Sequence, residues 1–198
     1  MVGGRVIGAF TRHDLDATTM AVAEAWTAGI DRDWSVPAGS LDWSCTQTAD
    51  HTVDAVLAVA IFLASRRQDA YPDWGNGEYS LGPEARPVDL VEALVTVSRL
   101  LSGVVGTTPD DVRAIIWRSP RVEARPPVDF AARGALELVL HGHDVATGLG
   151  VDLTPPPDAM ERLRARTRGW PHWSSPGWRE PDRAGDAWAA LLRASGRG

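Results

Sequence analysis

His51, Glu137 and His141 are the residues best suited to chemistry. Glu137 and His141 are four residues apart in Glu137-Leu138-Val139-Leu140-His141. On a helix that spacing puts both side chains on one face, about one turn apart. His51 lies earlier, in Thr48-Ala49-Asp50-His51-Thr52-Val53. Two imidazoles and a carboxylate are a common donor set for a catalytic divalent metal that keeps open positions. If the two helices pack together, side chains alone would build such a site.

The second of these helices has a polar stripe. Phe130, Arg133, Gly134, Glu137, His141 and Asp144 recur at spacings of three or four, while Leu136, Leu138, Val139 and Leu140 fill the other sides. A helix apolar on most sides is buried, so its polar stripe must also be buried or line a cavity. A metal would satisfy the carboxylate and imidazole there, and so would a hydrogen-bond network. Asp144, one turn beyond His141, is placed to orient a ligand imidazole or a metal-bound water; the alternative is a solvated residue near the helix end. His143 points about 200° away from a ring at its next-but-one neighbour and reads as a surface histidine. Arg133 is a candidate to meet an anionic group on a bound small molecule, or else to form a surface salt bridge. His13, beside Asp14 and Asp16, is a further candidate substrate contact. Trp170, His172, Trp173 and Trp178 would form a lid or substrate wall, or pack the C-terminal region. Cys45 reads as a small buried residue.

Periodicity and punctuation predict helices over about 5–29, 46–67, 88–105, 127–147, 158–168 and 181–194. Turn formers between Gln68 and Pro87 mark a long connection. No segment reads as a strand. The expected class is all-α: four long helices with a crossover between the second and third, and short C-terminal helices. Residues 1–150 would form the metal-binding part and residues 151–198 an extension packed on it.

The chain has 198 residues, 44% hydrophobic and 23% charged, enough for one domain with a real core. A net charge of -6 without a basic block argues against nucleic acid or an anionic membrane as partner. All 20 basic residues are arginine, a mark of a GC-rich genome. A single cysteine excludes an intrachain disulfide. No apolar run resembles a signal peptide or reaches the length of a membrane span, so the expected location is the cytoplasm. Walker-type phosphate loops, dinucleotide fingerprints, Gly-x-Ser-x-Gly, His-Glu-x-x-His and paired Cys-x-x-Cys are all missing from the sequence.

The order Trp43, then Asp50-His51 opening the second helix, then Glu137-x-x-x-His141-Gly142-His143-Asp144-x-Ala146-x-Gly148 resembles the DinB-like superfamily. More narrowly, it is similar to the N-terminal domain of mycothiol-dependent maleylpyruvate isomerases. The resemblance covers about residues 5–150. It implies a four-helix bundle in up-down-down-up order, with His51, Glu137 and His141 as metal ligands and zinc as the usual metal. It also implies a low-molecular-weight thiol as cosubstrate, typically mycothiol in actinobacteria.

Two departures bear on the substrate. Only about 48 residues follow Gly150 where the isomerase has a separate domain, and His143 stands where a tryptophan is common. The leading expectation is therefore a metal-dependent isomerase or thiol S-transferase acting on a small electrophile. The alternatives are a metal- or ligand-binding bundle without thiol chemistry and a thiol-independent natural-product rearrangement or cyclisation enzyme. A homodimer is compatible with either.

Overall fold

The computed structural model describes residues 8–72 and 78–197. Four long helices dominate: α1 (Arg12–Ala28), α2 (Cys45–Ser65), α3 (Pro87–Thr107) and α4 (Pro127–Leu149). Two short helices follow, α5 (Pro157–Arg166) and α6 (Ala187–Ala194), with a 3-10 turn (Pro171–Ser174) between them. The class is all-α, as the sequence predicts.

Local chemistry sets the helix ends. Before α2, the Ser44 hydroxyl accepts from the Gln47 amide at 3.2 Å, and the Gln47 side chain accepts from the Ser44 amide at 2.9 Å. This reciprocal cap starts α2 at Cys45 and puts His51 in its second turn. Pro127 opens α4, where a missing amide hydrogen costs nothing. Gly150 closes it with φ 66°, a left-handed conformation that glycine adopts freely.

Helix α1 packs against α3 and α4, and α2 packs against the same two helices. Between them lies a core that includes Leu15, Trp26, Leu63, Leu94, Phe130 and Leu138, all fully buried. Helix α4 is buried on most of its sides, as its sequence predicts. Its end comes very close to the segment before α2: a Cβ at Gly148 would stand 2.4 Å from the Pro37 carbonyl oxygen and 2.6 Å from Cys45 Sγ.

Arginines tie the C-terminal elements to the long helices. Arg162 on α5 grips Asp14 on α1 side-on, and Arg166 reaches Asp129 at the start of α4. Arg164 donates to the carbonyls of Asp182 and Gly185, holding the segment before α6.

The structure corrects several expectations. Ala114–Trp117 (β1) and Glu123–Arg125 (β2) form an antiparallel hairpin where no strand was expected. Helix α1 starts at Arg12, because residues 8–10 are irregular and Asp14 accepts from the Thr11 amide at 2.8 Å. The earlier part of the expected first helix, residues 5–7, lies outside the described residues, as do Asp73, Gly75, Asn76 and Gly77 of the long connection. The last helix is shorter than expected, starting after Asp186, whose carboxylate accepts from the Ala189 amide at 2.7 Å. Finally, α2 is long and apolar enough by length and composition to cross a bilayer, with a mean hydropathy of 1.3 over its best window. No unbroken apolar run reveals this, because Asp50, His51 and Asp54 interrupt the sequence. Half of that window is buried inside the protein.

Candidate metal centre

The packing of α2 on α4 brings His51 to Glu137 and His141. One potential ligand atom from each of the three lies within 4.8 Å of the other two. The rings of His51 and His141 meet edge to face with centroids 5.2 Å apart. His141 Nε2 is 3.7 Å from Glu137 Oε2, one turn away on α4. All three side chains are half-buried.

Behind His141 stands Asp144, its Oδ2 3.2 Å from His141 Nδ1. That contact places the imidazole proton on Nδ1 and leaves the Nε2 lone pair directed at Glu137 and His51. Arg197 holds the same carboxylate, with Nε 2.9 Å from Oδ1 and Nη2 2.8 Å from Oδ2. Asp144 is almost fully buried. Burial pushes its carboxyl up, but the bonds from His141 and Arg197 outweigh this and hold it below the ordinary range.

The electrostatics keep the donors ready to bind a cation. Burial alone would raise the Glu137 carboxyl, yet His141, Arg133, His172 and His51 together hold it below its usual value. Burial is also the main cause that lowers His51, reinforced by His141 and opposed by Glu137, Asp54 and Glu78. Among the described residues neither the His51 nor the Glu137 side chain makes a hydrogen bond, so their lone pairs are not committed elsewhere. Two nitrogens and one carboxylate oxygen, one ring oriented from behind, fit a divalent transition metal with positions left for exogenous ligands.

One side of His51 opens on a cavity of about 240 Å³, lined by Trp43, Gln47, Asp50, Asp54 and residues 78–80. The Trp43 ring meets His51 with centroids 5.1 Å apart and is itself half exposed. Asp50 accepts from the Leu81 amide and Asp54 from the Tyr79 amide, each at 2.8 Å. These two carboxylates fasten the connecting segment across α2 beside His51.

The remaining candidates fall in different places. Among the described residues Arg133 makes no salt bridge; its Nη1 donates to the Ile116 carbonyl of β1. It is half-buried, one turn before Glu137. His13 points outward, with its side chain 74% exposed and Nδ1 3.8 Å from Asp16, and is not part of the site. Trp173 is buried within the C-terminal region, donating to the Thr167 carbonyl at 2.8 Å and packing on Trp178. It is a packing residue of that region. His143 is not a plain surface histidine either: it is half-buried against Trp188 of α6, and burial lowers its pKa. Cys45 is fully buried, and burial pushes its thiol up to about 11, far from a reactive thiolate.

Two residues near the centre carry no local sequence signal. His172 comes close enough to act electrostatically on Glu137, and burial holds its own pKa down at about 4. The sequence offers it only as part of an aromatic cluster. Arg197 could not be paired with Asp144 without the fold.

Compared with protein-family models, with curated proteins and with solved structures, the chain matches none.

Proposed function

We propose that this chain is a DinB-like four-helix bundle, in up-down-down-up order, that holds a divalent metal, zinc in the first instance, at His51, Glu137 and His141. On this reading it is an enzyme that uses a low-molecular-weight thiol, of the mycothiol type, for isomerisation or S-transfer on a small electrophile. The observation that carries the proposal is the convergence of the three donors, with Asp144 and Arg197 fixing His141 from behind.

A metal bound by these donors supplies Lewis acidity, which favours the thiolate form of a small thiol at neutral pH. The protein does the rest. Asp144 sets the His141 tautomer and ring angle. Trp43 and the segment fastened by Asp50 and Asp54 wall the approach to His51. Arg133, one turn from Glu137, adds a fixed positive charge. In the isomerisation the thiolate adds to an activated double bond, the resulting single bond rotates, and elimination of the thiolate restores the alkene. In S-transfer it displaces a leaving group instead.

The first test is the metal content of untagged protein by mass spectrometry, beside His141→Ala. About one equivalent of metal is expected in the native chain and none in the variant. Activated alkenes and alkylating electrophiles are then tried with and without mycothiol. Failure to bind zinc on reconstitution overturns the proposal. Turnover that does not need thiol instead supports a rearrangement enzyme, a reading favoured by the nearness of His172, from the aromatic C-terminal region, to Glu137.

A further inference from the structure

We infer that Arg133, Trp117 and His172 form a carboxylate-binding subsite beside Glu137, so that the substrate is a small molecule bearing a carboxylate. This deepens the metal–thiol reading and rests on it.

Arg133 Nε, Trp117 Nε1 and His172 Nδ1 are all sealed from solvent, and none has a hydrogen-bond partner among the described residues. They come from three separate elements, α4, β1 and the 3-10 turn. Yet the Trp117 and His172 rings lie 5.5 Å apart, Arg133 is bonded to the residue before Trp117, and Arg133 and His172 both act on Glu137. A buried polar atom without a partner costs about 1–3 kcal/mol. Three such atoms grouped together indicate a place built for a group that this chain does not contain.

The arginine shows which group. Nη1 is committed to the Ile116 carbonyl, which leaves the Nε–Nη2 edge. That edge takes a planar carboxylate side-on. Arg86, Arg162 and Arg197 each use Nε and Nη2 in just this way on the two oxygens of an Asp. Among the described residues no carboxylate occupies the same edge of Arg133. Glu137, one turn away, forms no ion pair with it; its carboxylate belongs to the donor triad.

The surroundings also suit a flat monoanion. Trp117 adds an indole N–H donor and a planar wall, and the His172 ring adds a second wall. Arg125, whose guanidinium lies 5.7 Å from the Trp117 ring centroid, is already paired with Glu123, so Arg133 is left to meet the ligand's charge, and one such cation next to a glutamate suits a monoanion better than a phosphate dianion. Because the three nitrogens are sealed, the side chains around them must part to admit the ligand.

The test is NMR of ¹⁵N-labelled protein, metal-free and zinc-loaded, titrated with acetate and succinate and, in parallel, with inorganic phosphate. The Trp117 Nε1–H and Arg133 Nε–H signals are expected to shift saturably with the carboxylates in both forms. Trp117→Phe, which keeps a flat ring, and Arg133→Gln should each weaken binding about tenfold or more. If neither signal moves, or phosphate moves them more strongly than carboxylate, the subsite is overturned while zinc binding stands or falls separately. Saturable shifts in a protein that takes up no zinc would keep the subsite and remove the metal.

Discussion

Arg197 clasps Asp144 side-on, and Asp144 in turn holds His141 by its Nδ1. A residue of the C-terminal segment thus sets the orientation of a candidate metal donor on α4. Removing the guanidinium leaves a buried carboxylate with only the imidazole for company. Arg197→Ala is expected to weaken zinc binding by about 10–100-fold, the usual cost of losing such a support. It should also destabilise the metal-free fold by roughly 3 kcal/mol, because an unpaired buried charge remains. Arg197→Lys should recover part of the stability but less of the affinity, since it cannot bond both oxygens at once. Competition with a chromophoric chelator measures the affinity and urea unfolding the stability. Unchanged zinc affinity in Arg197→Ala would show that Asp144 needs no second partner.

Metal binding should appear as stability. A ligand that binds only the folded chain at a thousand times its dissociation constant adds about 4 kcal/mol. Zinc is therefore expected to raise the melting temperature of the native protein, and chelation to reverse the rise. His51→Ala and Glu137→Gln should lose the response while still folding, because each side chain is half-buried and makes no other hydrogen bond. Melting curves with zinc and with excess chelator check this. A full response in either variant would exclude that residue as a ligand.

His172 gives the metal-free fold an acid-side weakness. Burial holds its pKa at about 4, against an ordinary value of 6.5. Above 6.5 neither the folded nor the unfolded chain protonates it, so it has no effect on stability. Below 6.5 the unfolded chain takes up a proton that the folded chain refuses, and stability falls as pH falls until the folded pKa is passed. At pH 5 the loss from this one group is about 2 kcal/mol. His51 and His143 are lowered in the same direction and add to it. Urea unfolding of chelator-treated protein at pH 7.5 and pH 5 should show the difference, and His172→Asn should shrink it. An equal pH dependence in that variant would mean that His172 titrates normally.

The donor triad was legible because Glu137 and His141 obey the helical period and His51 opens a strongly patterned helix. The period pairs Glu137 with His141 alone; His51, on a different helix, joins them as a ligand through the resemblance to the DinB-like superfamily, whose motif has residues in both segments. Arg197 and Asp144 lie 53 residues apart and share no period. The β1–β2 hairpin was hidden for another reason. Its strands have four and three residues, one uniformly buried and the other carrying Glu123 and Arg125, so neither alternates. Missing the hairpin misplaced Arg133 as well. On a bare helix it reads as a surface ion pair, whereas the Ile116 carbonyl comes down on it from β1. The membrane-length character of α2 was masked by Asp50, His51 and Asp54, which interrupt its apolar run.

Gly148 tests whether the approach of α4 to the start of α2 supports the triad. A methyl group there would meet the Pro37 carbonyl oxygen at 2.4 Å, Cys45 Sγ at 2.6 Å and Ala38 Cα at 3.2 Å. Two of these belong to backbone and cannot rotate away, so α4 and the 37–45 segment must separate. Forced overpacking of this kind costs about 1–3 kcal/mol. Gly148→Ala is expected to lose that much stability. It should also weaken zinc binding more than a change of similar destabilisation far from the contact, such as Leu63→Ala near the other end of α2, because it moves His51 relative to Glu137 and His141. Urea unfolding matched with zinc titration compares the two variants. Equal zinc affinity in both would show that the triad tolerates the displacement and that the Gly148 contact serves packing alone.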